Sequence, residues 1–199
     1  ILLTDHGQIK KLSLSLLSKK KKYTTVIGLK DGHKLVDANL VTENDEVLIG
    51  TAKGQGLRFN SDWNKNTGRT SLSVLGKKLS EGDWAVSLVK ITENCDILSI
   101  TEYGFSKRTT ESKYPAKGRA TKGVQSHKIS EKTGKVVAYI PIVNENVLIG
   151  TKNGKIIRLY ADTLPQSNRC TTGNKAIKLD KEDLVATMSI APNTDLEDN

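Results

Sequence analysis

A repeat of about 50 residues constrains this chain more than any other feature. VLIGTAKGQGLRF begins at Val47, ILSITEYGFSKRT at Ile97 and VLIGTKNGKIIRL at Val147, so successive copies stand 50 residues apart. The opening ILLTDHGQIKKL is a fourth copy, slightly closer to its neighbour. Each reads as strand, turn, strand, with turn glycines Gly7, Gly54, Gly104 and Gly154. Two further landmarks keep step. Gly68-Arg69, Gly118-Arg119 and Asn168-Arg169 form one series, and Leu29, Leu79, Ile129 and Leu179, each before an acidic turn, form another. Three landmarks in register exclude coincidence. A module this small cannot bury both faces of its sheet alone, and a period near 50 is that of propeller-like arrays whose sheets stack on their neighbours.

The local patterns are those of strands. LVDANLV, WAVSLVKI and KVVAYIPIV are rich in β-branched residues, and the segments between them are turns of Gly, Asn, Asp and Lys. Only short stretches such as Asp162–Leu164 could open a helical turn. The expected fold is all-β and propeller-like: one domain over 1–190, built of antiparallel modules at 1–46, 47–96, 97–146 and 147–190. The segment 191–199 (APNTDLEDN) is expected to be an acidic, poorly packed tail. The chain starts without Met inside a strand-like run, with no basic-then-apolar leader, and is read as a domain of a longer protein.

Charge points to the class of partner. The formal net charge is +9 over 199 residues, and a positive sum raises the encounter rate with polyanions. No run of about 18 apolar residues marks a membrane span. Cys95 and Cys170 form no CxxC pair, as expected of a reducing compartment. Chemistry is thinly represented. His6, His33 and His127 fall in turn or loop contexts, no HExxH or nucleophile elbow occurs, and GTAKGQG lacks the phosphate-loop form. No catalytic residue, metal site or cofactor is assigned to this domain. Trp63, Trp84, Phe59, Phe105, Tyr103 and Tyr139 are read as packing residues rather than base-stacking platforms.

The period returns cations to equivalent places in each module. One set follows the turn glycine: Lys10 and Lys11, Arg58, Lys107 and Arg108, Lys155 and Arg158. The other lies in the following loop: Lys19, Lys20, Lys21 and Lys22, then Lys65 and Arg69, then Lys113, Lys117, Arg119 and Lys122, then Arg169 and Lys175. Both sets are candidates for phosphate contacts, arginine as a fork and lysine as a mobile point charge. For any single one the competing reading is an ordinary solvated side chain, and for Arg69, Arg119 and Arg169 a pairing with an acidic residue of the neighbouring module.

The chain resembles the C-terminal domain of the bacterial DNA gyrase A protein, with the topoisomerase IV paralogue close behind. GLRFNSDWNKNTGRTSLSV at 56–74, GFSKRTTESKYPAKGRATKGVQSHKISEKTGKVVA at 104–138 and GKIIRLYADTLPQSNRCTTGNKAIKL at 154–179 carry the resemblance, in family order. It implies a β-pinwheel of four-stranded antiparallel blades that exchange strands and wrap double-stranded DNA on a positive outer rim. It further implies a parent ATP-dependent type II topoisomerase that uses ATP and Mg2+ and pairs with a gyrase B-like ATPase subunit, in the cytoplasm at the nucleoid. The domain itself is expected to be monomeric. The family's basic glycine-rich box, near QRRGGKG, has no match here. Its nearest form is Lys117–Gly123, Lys19–Lys22 could be a remnant, and family order would put the box before Ile1. Asn174 replaces the valine expected from Val74 and Val124. A topoisomerase IV-type role without full wrapping, and a propeller-like protein-interaction module, remain the alternatives.

Overall fold

A computed structural model describes residues 1–17, 23–63, 67–69 and 71–191. Lys19–Lys22, Lys65 and most of the acidic tail lie outside the described residues.

Modules two to four each contribute a hairpin, a short outer strand and a longer inner strand; the first, among the described residues, contributes a hairpin and an inner strand. The first holds β1 (Leu2–Thr4), β2 (Gln8–Lys10) and β3 (Leu35–Ala38). The second holds β4 (Glu46–Thr51), β5 (Gln55–Asn60), the two-residue β6 (Val74–Leu75) and β7 (Ala85–Ile91). The third holds β8 (Asp96–Thr101), β9 (Phe105–Thr110), β10 (Val124–Gln125) and β11 (Val136–Ile142). The fourth holds β12 (Asn146–Thr151), β13 (Ile156–Tyr160), β14 (Asn174–Lys175) and β15 (Val185–Ala191). Of the inner strands, β7 and β11 coincide with β-branched segments read from the sequence, β3 covers only the first four residues of LVDANLV, and β15 was not read. A 3-10 turn follows each hairpin, at Leu14–Leu16, Ser61–Trp63, Glu111–Lys113 and Ala161–Thr163, and only the last was anticipated.

The sheets do not follow the modules. Their strand orders are β3-β1-β2-β6, β10-β5-β4-β7, β11-β8-β9-β14 and β13-β12-β15, all antiparallel pairs. Each short strand therefore completes the sheet of the module before its own, which is the strand exchange that the resemblance implies. Three blades hold four strands and the fourth holds three among the described residues, leaving Ile156 and Tyr160 of β13 largely exposed. Asn174 still enters its strand, opposite Ser106.

The exchange is fixed by backbone hydrogen bonds at the turn glycines. The Gly7 carbonyl accepts from Gly76 and Lys77, that of Gly54 from Ser126 and His127, and that of Gly104 from Ala176. Packing follows from the two-residue period of a strand, which sends alternate side chains to opposite faces. Val47 and Ile49 of β4 pack with Leu3, Ile9 and Leu88 against the first module, whereas Leu48 joins Ile97, Tyr114 and Tyr139 against the third. Leu98 and Ile100 of β8 likewise face Val147, Ile149 and Met188 of the fourth. Each interface is thus a small core of its own, and each fully buried aliphatic side chain contributes about 1.5–3 kcal/mol. The inner strands β3, β7, β11 and β15 pack in that order, and all four line one cavity of about 540 Å3. The exchanged strands lie at the opposite edge of each sheet, on the outside.

Candidate nucleic-acid interface

The outer edge is built by the loop that leads into each exchanged strand. Its start is held by the preceding module: Thr67, Lys117 and Ser167 donate through their amides to the carbonyls of Lys11, Arg58 and Arg108. Its bend is closed by a hydroxyl three residues on, with Ser71 Oγ donating to Gly68 O at 2.6 Å, Thr121 Oγ1 to Gly118 O at 2.9 Å and Thr171 Oγ1 to Asn168 O at 2.9 Å. Side-chain closure of this kind is what Ser and Thr offer a turn.

Beneath the loops lie buried cations. Lys10 Nζ donates to the Arg69 and Ser71 carbonyls, Lys77 Nζ to the Lys122 carbonyl, and Lys107 Nζ to Asn168 O at 2.7 Å and to Arg169 O. At the position of Lys77 the third module carries His127, whose Nε2 lies 3.0 Å from Thr172 O and whose Nδ1 lies 2.8 Å from Ser99 Oγ. Burial pulls the Lys77 and Lys107 ammonium groups down to about 8. Burial, helped by nearby Lys107, pulls His127 down to about 4. Both lysines stay mostly charged at neutral pH. They hold the loop carbonyls inward and place fixed positive charge under the outer surface.

Arg119 and Arg169 reach back across the exchanged strand of the preceding module. Their Nη1 groups donate to the carbonyls of Leu75 and, at 2.8 Å, of Gln125, and the Arg119 guanidinium lies 4.8 Å over the Trp63 ring. The backbones join at the same places: Ala120 N donates to Gly76 O, Lys78 N to Thr121 O and Lys128 N to Thr171 O. The loops and exchanged strands thus form one continuous belt around the outside.

The structure separates the candidate cations. Lys113, Lys117, Lys122, Arg158 and Lys175 are exposed, Arg69, Arg119 and Arg169 are half-buried on the belt, and Lys155 is exposed in an ion pair with Asp180. Five are put to another use than the rim. Lys10 and Lys107 are buried as described, and Lys11 is buried with Nζ on Ser61 O at 3.0 Å. Arg58 pairs with Glu46 and donates Nη1 to Glu111 O at 2.9 Å and Tyr114 O at 3.3 Å. Arg108 Nε donates to Leu164 O at 2.7 Å, with Nη1 3.6 Å from Asp96. In all five the next module's loop or 3-10 turn folds over the cation, a contact that strand periodicity does not encode. Conversely, Lys78, Lys128 and Lys178 are exposed directly beyond the exchanged strands and escaped the sequence reading. Their signal was present: each precedes the landmark Leu79, Ile129 or Leu179 at a spacing of 50. Of the aromatic residues, Phe59 and Tyr139 are core, while Trp84 and Tyr103 are partly exposed, with Lys135 Nζ 4.2 Å over the Trp84 ring.

These features define a strand-exchanged β-propeller with a cationic outer belt. The chain belongs to the family described as the DNA gyrase C-terminal domain, beta-propeller, whose model matches residues 1–42, 45–92, 96–142 and 145–192. It is 34% identical over 87 residues to the DNA gyrase A protein of Salmonella typhimurium, covering 43% of this chain and 10% of that one. It is 37% identical over 86 residues to the DNA gyrase A protein of Staphylococcus epidermidis, with the same coverage. The matched segment is thus about a tenth of the length of these relatives. Among solved structures, a DNA gyrase A C-terminal domain superposes with a TM-score of 0.87 at 29% identity, over 95% of this chain and 64% of that chain. The C-terminal domain of a DNA topoisomerase IV shares the fold, with a TM-score of 0.85 at 24% identity over 95% and 60%. No helix among the described residues is long and apolar enough to cross a membrane.

Proposed function

We propose that this chain binds double-stranded DNA along its outer belt and bends or wraps it, as part of a gyrase A-like protein. One observation carries the reading: Lys78, Lys128 and Lys178, with Arg69, Arg119 and Arg169, recur every 50 residues beside the exchanged strands, where consecutive modules join. Duplex DNA carries one phosphate charge per about 1.7 Å of axis, so a belt of cations meets it better than a single pocket. Contacts of this kind position the duplex without reading bases. Bending a site of 20–30 bp costs on the order of 1–6 kcal/mol, which many weak contacts together offset. The parent protein would serve an ATP- and Mg2+-dependent supercoiling holoenzyme with a gyrase B-like partner, at the nucleoid.

Ligation of nicked circular DNA in the presence of the chain tests this. A directional linking-number change that grows with protein supports chiral wrapping. Salt-sensitive binding without a linking-number change supports a topoisomerase IV-type role. Neither binding nor a linking-number change would sink DNA binding and leave a protein-interaction module.

A further inference from the structure

Two turns of the first module bring three metal-capable side chains together. Asp5 and His6 lie on the β1–β2 turn and His33 on the turn before β3. The two imidazole rings stack with centroids 3.7 Å apart and planes inclined by 14°. His6 Nδ1 lies 2.8 Å from Asp5 Oδ1, and the same oxygen accepts from Lys34 N at 2.9 Å, so both bonds fall on Oδ1 rather than Oδ2. His33 Nδ1 is shielded from solvent and has no hydrogen-bond partner. A shielded ring nitrogen without a partner calls for an explanation. In the second and fourth modules the equivalent turns are joined by Lys53 N donating to Asp83 Oδ1 at 2.9 Å and Asn153 N to Asp183 Oδ1 at 3.1 Å, and there Asp83 Oδ2 and Asp183 Oδ2 are likewise shielded without a partner. His33 stands at the repeat position of those two aspartates, and His6 at that of Lys53 and Asn153. The first module keeps a carboxylate–amide clasp, Asp5 Oδ1 with Lys34 N, and adds two facing imidazoles beside it.

We propose that Asp5, His6 and His33 bind a divalent transition-metal ion of the zinc type. Two imidazole nitrogens and one carboxylate oxygen suit zinc, cobalt(II) or nickel(II), whereas magnesium and calcium prefer oxygen donors throughout. The three donor atoms lie within 4.8 Å of one another. Tetrahedral zinc with bonds of about 2.0–2.1 Å holds its donors about 3.3 Å apart, so closure needs about 1.5 Å of movement. An imidazole nitrogen coordinates in its ring plane, so the two stacked rings share an ion only after the His6 ring, 54% exposed, swings out of the stack. The ion would clasp the two turns and leave a coordination position for water. The sequence reading assigned no metal site because the histidines are 27 positions apart. His127 does not compete, since both its ring nitrogens are engaged.

Zinc titration followed by thermal unfolding, with cobalt(II) absorption as a second readout, decides the matter. Both are run on the chain carrying Cys170→Ser, because that exposed thiol is itself a ligand. The expected result is one ion per chain, a zinc-dependent rise in Tm, a tetrahedral cobalt spectrum, and no rise with magnesium. His6→Ala and His33→Ala should each weaken binding by at least the roughly 10–100-fold that loss of an outer-shell partner costs. Asp5 is kept because it caps Lys34 N. Should His33→Ala lower the stability of the chain without metal, the exposed His6→Ala variant carries the test. No zinc-dependent shift, or a shift that survives loss of His6, overturns the site.

Discussion

Replacing the turn glycines one at a time separates backbone strain from the strength of the strand-exchange seam. Gly54 and Gly154 occupy the same turn in different modules, with φ of 78° and 82°. Alanine at either position is forced into the left-handed region, at about 1–2 kcal/mol. At Gly154 nothing lies within 4 Å of the added Cβ, so this strain is the whole effect. At Gly54 the Cβ would stand 2.0 Å from His127 O, in the segment that follows the exchanged strand. Ordinary contact begins near 3.4 Å, so the strand must retreat by about 1.4 Å. Overpacking of this kind adds about 1–3 kcal/mol. The retreat also weakens the bonds from Ser126 N at 2.7 Å and His127 N at 3.0 Å to Gly54 O. Each contributes about 0.5–1.5 kcal/mol net. Gly54→Ala is thus expected to lose about 2–6 kcal/mol more than Gly154→Ala. In thermal unfolding of a chain this size, Gly154→Ala should lower Tm by about 2–8 °C and Gly54→Ala by a further 4 °C or more. Equal losses in the two variants would refute the reasoning, because the seam would then add nothing beyond strain.

Three other outcomes are expected. His127 binds its proton less readily in the fold, near pH 4, than in the unfolded chain, near 6.5, so the unfolded state holds more protons between those values. Stability is therefore full above pH 6.5 and falls by on the order of 3 kcal/mol toward pH 4, a slope that His127→Asn should flatten in urea titrations. Combined Lys78→Ala, Lys128→Ala and Lys178→Ala should weaken DNA binding and reduce the log–log salt slope by about 2.7, read by fluorescence anisotropy at several ionic strengths. An unchanged slope would remove these lysines from the belt. Arg58→Ala removes the Glu46 pair and the bonds to Glu111 and Tyr114, so it should destabilise the fold by about 1–3 kcal/mol in urea unfolding while leaving the salt slope intact.

Repeats, strands and turns were legible in the sequence because they are local. The 50-residue spacing fixed how many modules to expect, and the β-branched runs located β7 and β11 nearly to the residue and β3 by its start. The turn glycines could be named in advance because a left-handed φ, between 70° and 82° at all four, favours a residue without a Cβ. Arg119 and Arg169 were visible as periodic arginines, although their grip on the preceding strand was not. What lay beyond the sequence is contact between distant segments. A strand of two residues has no periodicity of its own, and only the neighbouring sheet edge decides that Val74 pairs with Ile9, 65 positions away. The same folding-over buries Lys10 and Lys107 beneath the next module's carbonyls, although their sequence context matches that of an exposed rim lysine. Asp5 and His33 meet for the same reason: the β1–β2 turn and the turn before β3 become neighbours only when β3 pairs with β1. Side-chain type and spacing determine which strands form and which face each residue takes. Whether a cation on that face meets solvent, a carbonyl or another module depends on what the rest of the chain packs against it.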